Sequence, residues 1–136
     1  MAEKLCTLKK YGGGKMKETV LWTNATPTSD FGNSTQNLSG KISDFKYISV
    51  RVKTSKTTSN YTDYFFDTTQ FVNSYVNSDY PQGFLGHYAS SYFSYRMFFW
   101  DSDTSTIINN CLRNKSNTAP TQDNSYMIPV SISGWK

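Results

Sequence analysis

The sequence predicts an all-β domain, an antiparallel β-sandwich or jelly roll of about seven to eight short strands behind an extended N-terminal arm. Three observations predict it. Composition is the first: aromatic residues make up 16% of the 136-residue chain, with ten Tyr, nine Phe and three Trp. These residues, with Thr, Val and Ile, suit a pleated, half-buried surface, whereas the strong helix formers Ala, Leu, Glu and Gln are scarce. Turn punctuation is the second: Ser, Thr and Asn together fill about a third of the chain, well above average usage, and cluster with Gly, Pro and Asp between apolar runs. The third is alternation at Phe45–Lys53, where Ile48, Val50 and Val52 interleave with Tyr47, Ser49 and Arg51 and leave one face aliphatic.

The remaining elements follow in order. Residues 1–17 read as an arm broken by Gly12-Gly13-Gly14, a run that cannot sustain a regular element. Residues 18–136 form the body, which is large enough for one core and too small for two ordinary domains. Thr19–Thr23 opens it as a strand, and Asn24–Asn33 is a loop with Pro27, Ser29, Asp30 and Gly32 as turn residues. Thr35–Leu38 is a short strand closed by Ser39-Gly40. After Phe45–Lys53 a polar turn spans Thr54–Thr62, and Tyr64–Asp67 is the next strand. Val72–Tyr80 fits neither period cleanly and is ended by Pro81-Gln82-Gly83. Tyr88–Asp101 reads as one long strand or a tight hairpin, with aromatics on both faces. Thr104–Leu112, a polar loop over Asn114–Asn124, and Met127–Ser133 complete the chain. In that last strand Ile128, Val130 and Ile132 share a face, and Pro129 restricts it to an edge or a bulge.

Charge is concentrated at one end. Five of the fourteen basic residues and one of the ten acidic ones lie in residues 1–17; the nine of each that remain cancel. A neutral body with a short basic arm is a poor footprint for nucleic acid, so none is expected as a partner. Lys4, Lys9, Lys10, Tyr11 and Lys15 are instead candidate contacts of an arm that docks on a neighbouring protein. The first ten residues have no apolar run of signal-peptide type, and no stretch approaches membrane-spanning length. Synthesis in the cytosol without membrane insertion is the expectation. Cys6 and Cys111 are read as free thiols, with Cys111 buried, and a structural disulfide between them is the less favoured alternative.

Catalysis fails on inventory. His87 is the one histidine, in Gly86-His87-Tyr88, and has no evident nucleophile or orienting partner. Asp101 and Asp103, and Asp63 and Asp67, could each form the paired carboxylates of a hydrolase. Both pairs also sit at turns, where Asp is a favoured residue in its own right. No catalytic, metal or cofactor site is expected. The aromatic surplus offers more. Tyr and Trp combine an apolar face with a polar edge, which suits both glycan stacking and protein interfaces. Tyr88, Tyr92, Tyr95 and Trp100 are the candidate contacts of that kind.

Cys6-Thr7-Leu8-Lys9-Lys10, the Gly run and Lys17–Asn24 resemble the start of a β domain found in phage and prophage tail-fibre or baseplate proteins of gut Firmicutes. Pro27–Phe31, Leu38-Ser39-Gly40 and Ile128–Lys136 continue the resemblance, whereas residues 53–92 share only its texture. The resemblance implies a virion structural protein with a β-sandwich fold, at a tail tip or in a receptor-binding module. Its implied partners are other phage structural proteins, further copies of itself (a trimer, by analogy with tail fibres) and a host cell-surface glycan. A monomeric lectin-like module and a capsid decoration protein of head-fibre type are the alternatives.

Overall fold

In the computed structural model, residues 15–69 and 83–136 are described. They form an all-β domain of ten short antiparallel strands in two sheets. The strands are β1 (Glu18–Thr23), β2 (Ser34–Asn37), β3 (Tyr47–Ser55), β4 (Tyr61–Asp67), β5 (Gly83–Ala89), β6 (Tyr92–Ser102), β7 (Ser105–Ile108), β8 (Leu112–Lys115), β9 (Thr121–Gln122) and β10 (Tyr126–Trp135). A 3₁₀ turn, Ile42–Asp44, precedes β3. Among the described residues no helix is long and apolar enough to cross a membrane.

The first sheet runs β1-β10-β3-β4. Its alternation places Ile48, Val50 and Val52 of β3 opposite Phe66, Tyr64 and Thr62 of β4, with Ile132 of β10 against Val50. Opposite residues share a face, so this row points to one side. Lys17 is already tied to the sheet, because its N–H and C=O both bond the backbone of Lys136. Pro129 sits at a bulge between Pro129 and Ser131. The extra residue breaks the alternation, which places Ile132 opposite Val50 but Ile128 opposite Lys53 on the other face. Ile128, Val130 and Ile132 therefore do not share a face, contrary to the plain period-two reading. Asn24 takes over from β1 beside the bulge: its N–H bonds the Val130 carbonyl and its side-chain amide bonds the Pro129 carbonyl at 2.8 Å.

The second sheet runs β2-β7-β6-β8-β9, with β5 on the other side of β6. The Tyr88–Asp101 segment belongs to a hairpin. Its turn is Ser90-Ser91, both at positive φ (51° and 68°), the twist that a two-residue hairpin requires. β7 and β8 lie end to end along β6 and are parted at Asn109–Cys111, which is one reason the strands outnumber the expected seven or eight. The polar loop read at Asn114–Asn124 likewise contains the end of β8 and the two-residue β9.

The core lies between the sheets. Ile48, Val50, Val52 and Ile132 pack against Leu85, Phe98, Trp100 and Ile108, and the Phe66 and Phe98 rings stack at 4.9 Å across the gap. Two contacts need glycine. A Cβ on Gly134 would enter the Phe45 ring, and one on Gly83 would enter the Phe66 ring. Tyr64 joins the layers by donating its hydroxyl to the Gly86 carbonyl at 2.8 Å. Its partial burial raises its pKa above that of an ordinary tyrosine.

Arg96 is fully buried in this core. Its Nε donates to the Met127 carbonyl at 2.6 Å, Nη1 to Asn109 at 2.8 Å, and Nη2 to Tyr126 at 2.9 Å and Asn124 at 3.4 Å. The Phe31 ring lies 5.3 Å from its Cζ. Desolvation lowers its pKa to about 10, which leaves it charged at neutral pH. Met127 aims its carbonyl from a left-handed backbone, φ 50°, a conformation costly for a side chain of this kind.

Two outcomes follow. Arg96→Met keeps the volume but strands the carbonyls; urea denaturation is expected to show a loss of at least about 3 kcal/mol. Gly134→Ala is expected to cost about 1–3 kcal/mol by overpacking, part of which returns when Phe45→Leu is added. An additive double variant would refute the ring clash as its cause.

Candidate interaction face

Strand β6 sorts its side chains strictly. Ser94, Arg96, Phe98 and Trp100 are buried, whereas Phe93, Tyr95, Met97 and Phe99 point outward and stay partly accessible. The register extends this outer face sideways. Tyr88, Gly86 and Phe84 of β5 stand opposite Phe93, Tyr95 and Met97. On the other flank Asn114, Leu112 and Ile107 stand opposite Phe93, Tyr95 and Phe99. Gln122 and Thr35 follow on the outermost strands. Tyr88 is 69% exposed, Phe84 57% and Phe93 40%, fractions that mark a surface left uncovered.

The rings are ordered among themselves. Phe93 and Tyr95 stack at 5.4 Å, and Phe84 meets Tyr95 edge-on at 6.2 Å. Gly86 makes the Phe93 position possible, because a Cβ there would come within 2.8 Å of the ring tip. Beyond the rings the face sinks into two adjoining depressions that share Asn33 and Asn109. One, of about 250 Å³, is bordered by Phe99, Ile107 and Asp101; the other, of about 220 Å³, by Met97, Leu112 and Gln122. Asp101 at the margin is the one charged residue on this surface among the described residues.

The four candidate aromatics divide between the two sides of β6. Tyr88 and Tyr95 belong to the exposed face. Tyr92 is on the opposite side, where the Arg113 guanidinium lies 4.4 Å from its ring centroid. Trp100 is 1% exposed and packs at 5.0 Å from Phe98 and 6.4 Å from Phe66. Trp100 is thus a core residue and not a surface contact, because the inward row of β6 carries it. Phe84, Phe93, Met97, Ile107 and Leu112, absent from the sequence candidates, complete the exposed face. The pairing of β5, β7 and β8 with β6 is the signal that would have found them. Of the arm candidates, Lys15 is exposed, and Lys4, Lys9, Lys10 and Tyr11 lie outside the described residues, as do Cys6 and the Val72–Tyr80 segment.

Each aspartate considered for catalysis serves a local bond. Asp63 pairs with Arg51 at 3.0 Å, and Asp101 accepts from the Ser105 hydroxyl at 2.8 Å. Asp103 accepts from the backbone and hydroxyl of Ser43 and fixes the 3₁₀ turn. Asp67 accepts from the backbone and hydroxyl of Thr69, which lowers its pKa. Cys111 is a buried free thiol, its pKa raised by desolvation. No group of three metal-binding side chains occurs among the described residues. What the exposed face can do chemically is stack and exclude water, with amides at its margin for hydrogen bonding. Comparison with protein-family models, curated proteins and solved structures gives no match for this chain.

Proposed function

We propose that the chain is a structural module of a bacteriophage virion, acting as the host-attachment tip of a tail fibre or baseplate. The observation that carries this reading is the outer face of the second sheet. Across β5, β6 and the β7–β8 line it presents aromatic and aliphatic side chains with a single carboxylate at the edge. Contiguous exposed apolar surface of this kind is the mark of an interaction site, and stacked Phe and Tyr rings supply most of the energy in such contacts. The resemblance of Lys17–Asn24 and Ile128–Lys136 to phage tail domains supports the same reading. In it, the chain assembles as a homotrimer, residues 1–17 dock on neighbouring virion proteins, and the aromatic face meets the cell surface.

A lectin-like module acting as a monomer is the second reading, favoured by the exposure of Tyr88 and Phe93, whose ring faces suit sugar stacking. A capsid decoration protein uses the same face against its own particle. Two measurements separate the three. Labelled full-length chain is expected to adsorb saturably to at least one strain in a panel of gut Firmicutes, and to sediment as a trimer. Tyr88→Ser combined with Phe93→Ser is expected to weaken adsorption at least about tenfold while the chain stays folded by circular dichroism. Adsorption by a monomer would favour the lectin-like module. Absence of adsorption to every strain would sink the attachment role.

A further inference from the structure

The opposite side of the second sheet carries a different chemistry. His87 of β5, Ser94 of β6 and Arg113 of β8 are successive register partners, so they form one row across three strands, about 5 Å apart, on the face turned toward the first sheet. Thr54, Ser55 and Thr58 face this row from the end of β3 and the following turn, and Tyr126 closes one side. Together with Ala89 they border an open recess of about 160 Å³ whose polar groups are hydroxyls, an imidazole and a guanidinium, with no carboxylate among the lining residues.

Arg113 is the best-defined group in the recess. Its Cζ lies 3.6 Å from the Tyr126 ring centroid and 4.4 Å from that of Tyr92. Stacking of this kind fixes the guanidinium plane and leaves its N–H edge for hydrogen bonds. Nε donates to the Ser94 hydroxyl at 3.0 Å, and Nη1 lies 3.6 Å from the Asp123 carboxylate. Among the described residues Nη2 has no hydrogen-bond partner. Asp123 offsets part of the charge through Oδ2, while its Oδ1 accepts from the backbone and hydroxyl of Ser125. Burial works against the Asp123 charge; the Ser125 bonds and Arg113 outweigh it and keep the carboxyl below its ordinary pKa. Lys115 stands one row further out, opposite Tyr92.

We propose that this recess is a binding site for a small oxyanion, a carboxylate or phosphate group, free or borne on a saccharide. Arg113 would bind it through Nη2, with His87 and the Ser55 hydroxyl as further donors, the Thr58 hydroxyl being spent on the Ser55 carbonyl. Nη2 offers charge-assisted N–H donors to either anion, and no carboxylate lines the recess itself, Asp123 lying against Nη1. The site is separate from the exposed aromatic face and does not depend on the virion reading.

The test is an NMR titration of the full chain at constant ionic strength, with sodium phosphate, sodium acetate and sodium glucuronate as probes and chloride as control. Phosphate or glucuronate is expected to give saturable amide shifts at Ser55, His87, Ser94 and Arg113, with Kd on the order of millimolar, as one charge-assisted site supplies. Phosphate binding tighter than glucuronate marks a phosphoryl group; glucuronate binding tighter than both acetate and phosphate marks a sugar-borne carboxylate. Arg113→Gln is expected to weaken binding about tenfold or more. Should that variant lose its fold, His87→Gln, on an exposed position, is expected to weaken binding about threefold while leaving the fold unchanged. Absence of saturable shifts for every probe up to about 50 mM, shifts that chloride reproduces, or shifts that survive the substitutions would overturn the proposal.

Discussion

A buried arginine without an acid organises this domain. Arg96 enters the core from the middle of β6 and is neutralised only in the sense that backbone carbonyl dipoles surround it. Removing a charge from water costs several kcal/mol, and hydrogen bonds must offset that cost from groups held in place beforehand. The irregular features nearby can be understood as that holding. The strand opposite β6 breaks at Asn109–Cys111, which lets the Asn109 carbonyl turn inward. Asn124 fixes the break from the other side, accepting from the Cys111 N–H at 2.9 Å and donating to Asn110 at 3.0 Å. Met127 adopts its left-handed backbone where its carbonyl completes the set. One side chain thus joins the second sheet to the start of β10 in the first.

Much of this architecture was legible in the sequence because it rests on period-two patterning. Ile48, Val50 and Val52 reveal β3 and its inward face, and every strand expected within the described residues has a counterpart close to its expected position. Other parts were not legible, for local reasons. The alternation in β6 shows two faces, one with Arg96 and one with Met97. Charge suggests that the arginine face is wet, and only the carbonyl cage makes it the buried one. The bulge at Pro129 reverses Ile128 relative to Ile132, a shift that residue type does not encode. The Ser90-Ser91 turn hides because two serines hold the backbone conformation that glycine or asparagine ordinarily signals.

The candidate sites were legible in part for the same reasons. A surplus of aromatics predicts that some must be exposed, but not which. Tyr88 and Tyr95 emerge on the outer face because they lie an even number of residues from Phe84 and Phe93, whereas Trp100 keeps step with Phe98 and enters the core. Partners for Arg113 could not be foreseen at all. Tyr92 lies twenty-one residues before it and Tyr126 thirteen after, and only the β6–β8 register and the return of β10 bring the three rings and planes together.

The cage around Arg96 has a consequence for life in acid. Most proteins that bury a cation pair it with a carboxylate, which hands the centre a proton-sensitive half. Here the acceptors are amide carbonyls, which do not titrate in the range where carboxylates do. As pH falls, Asp67 and Asp123, whose pKa values are lowered by folding, lose the support they give at neutral pH. The contacts they lose are peripheral. The centre that joins the two sheets keeps both its charge and its acceptors, so acidity weakens the rim of this domain before it reaches the hub.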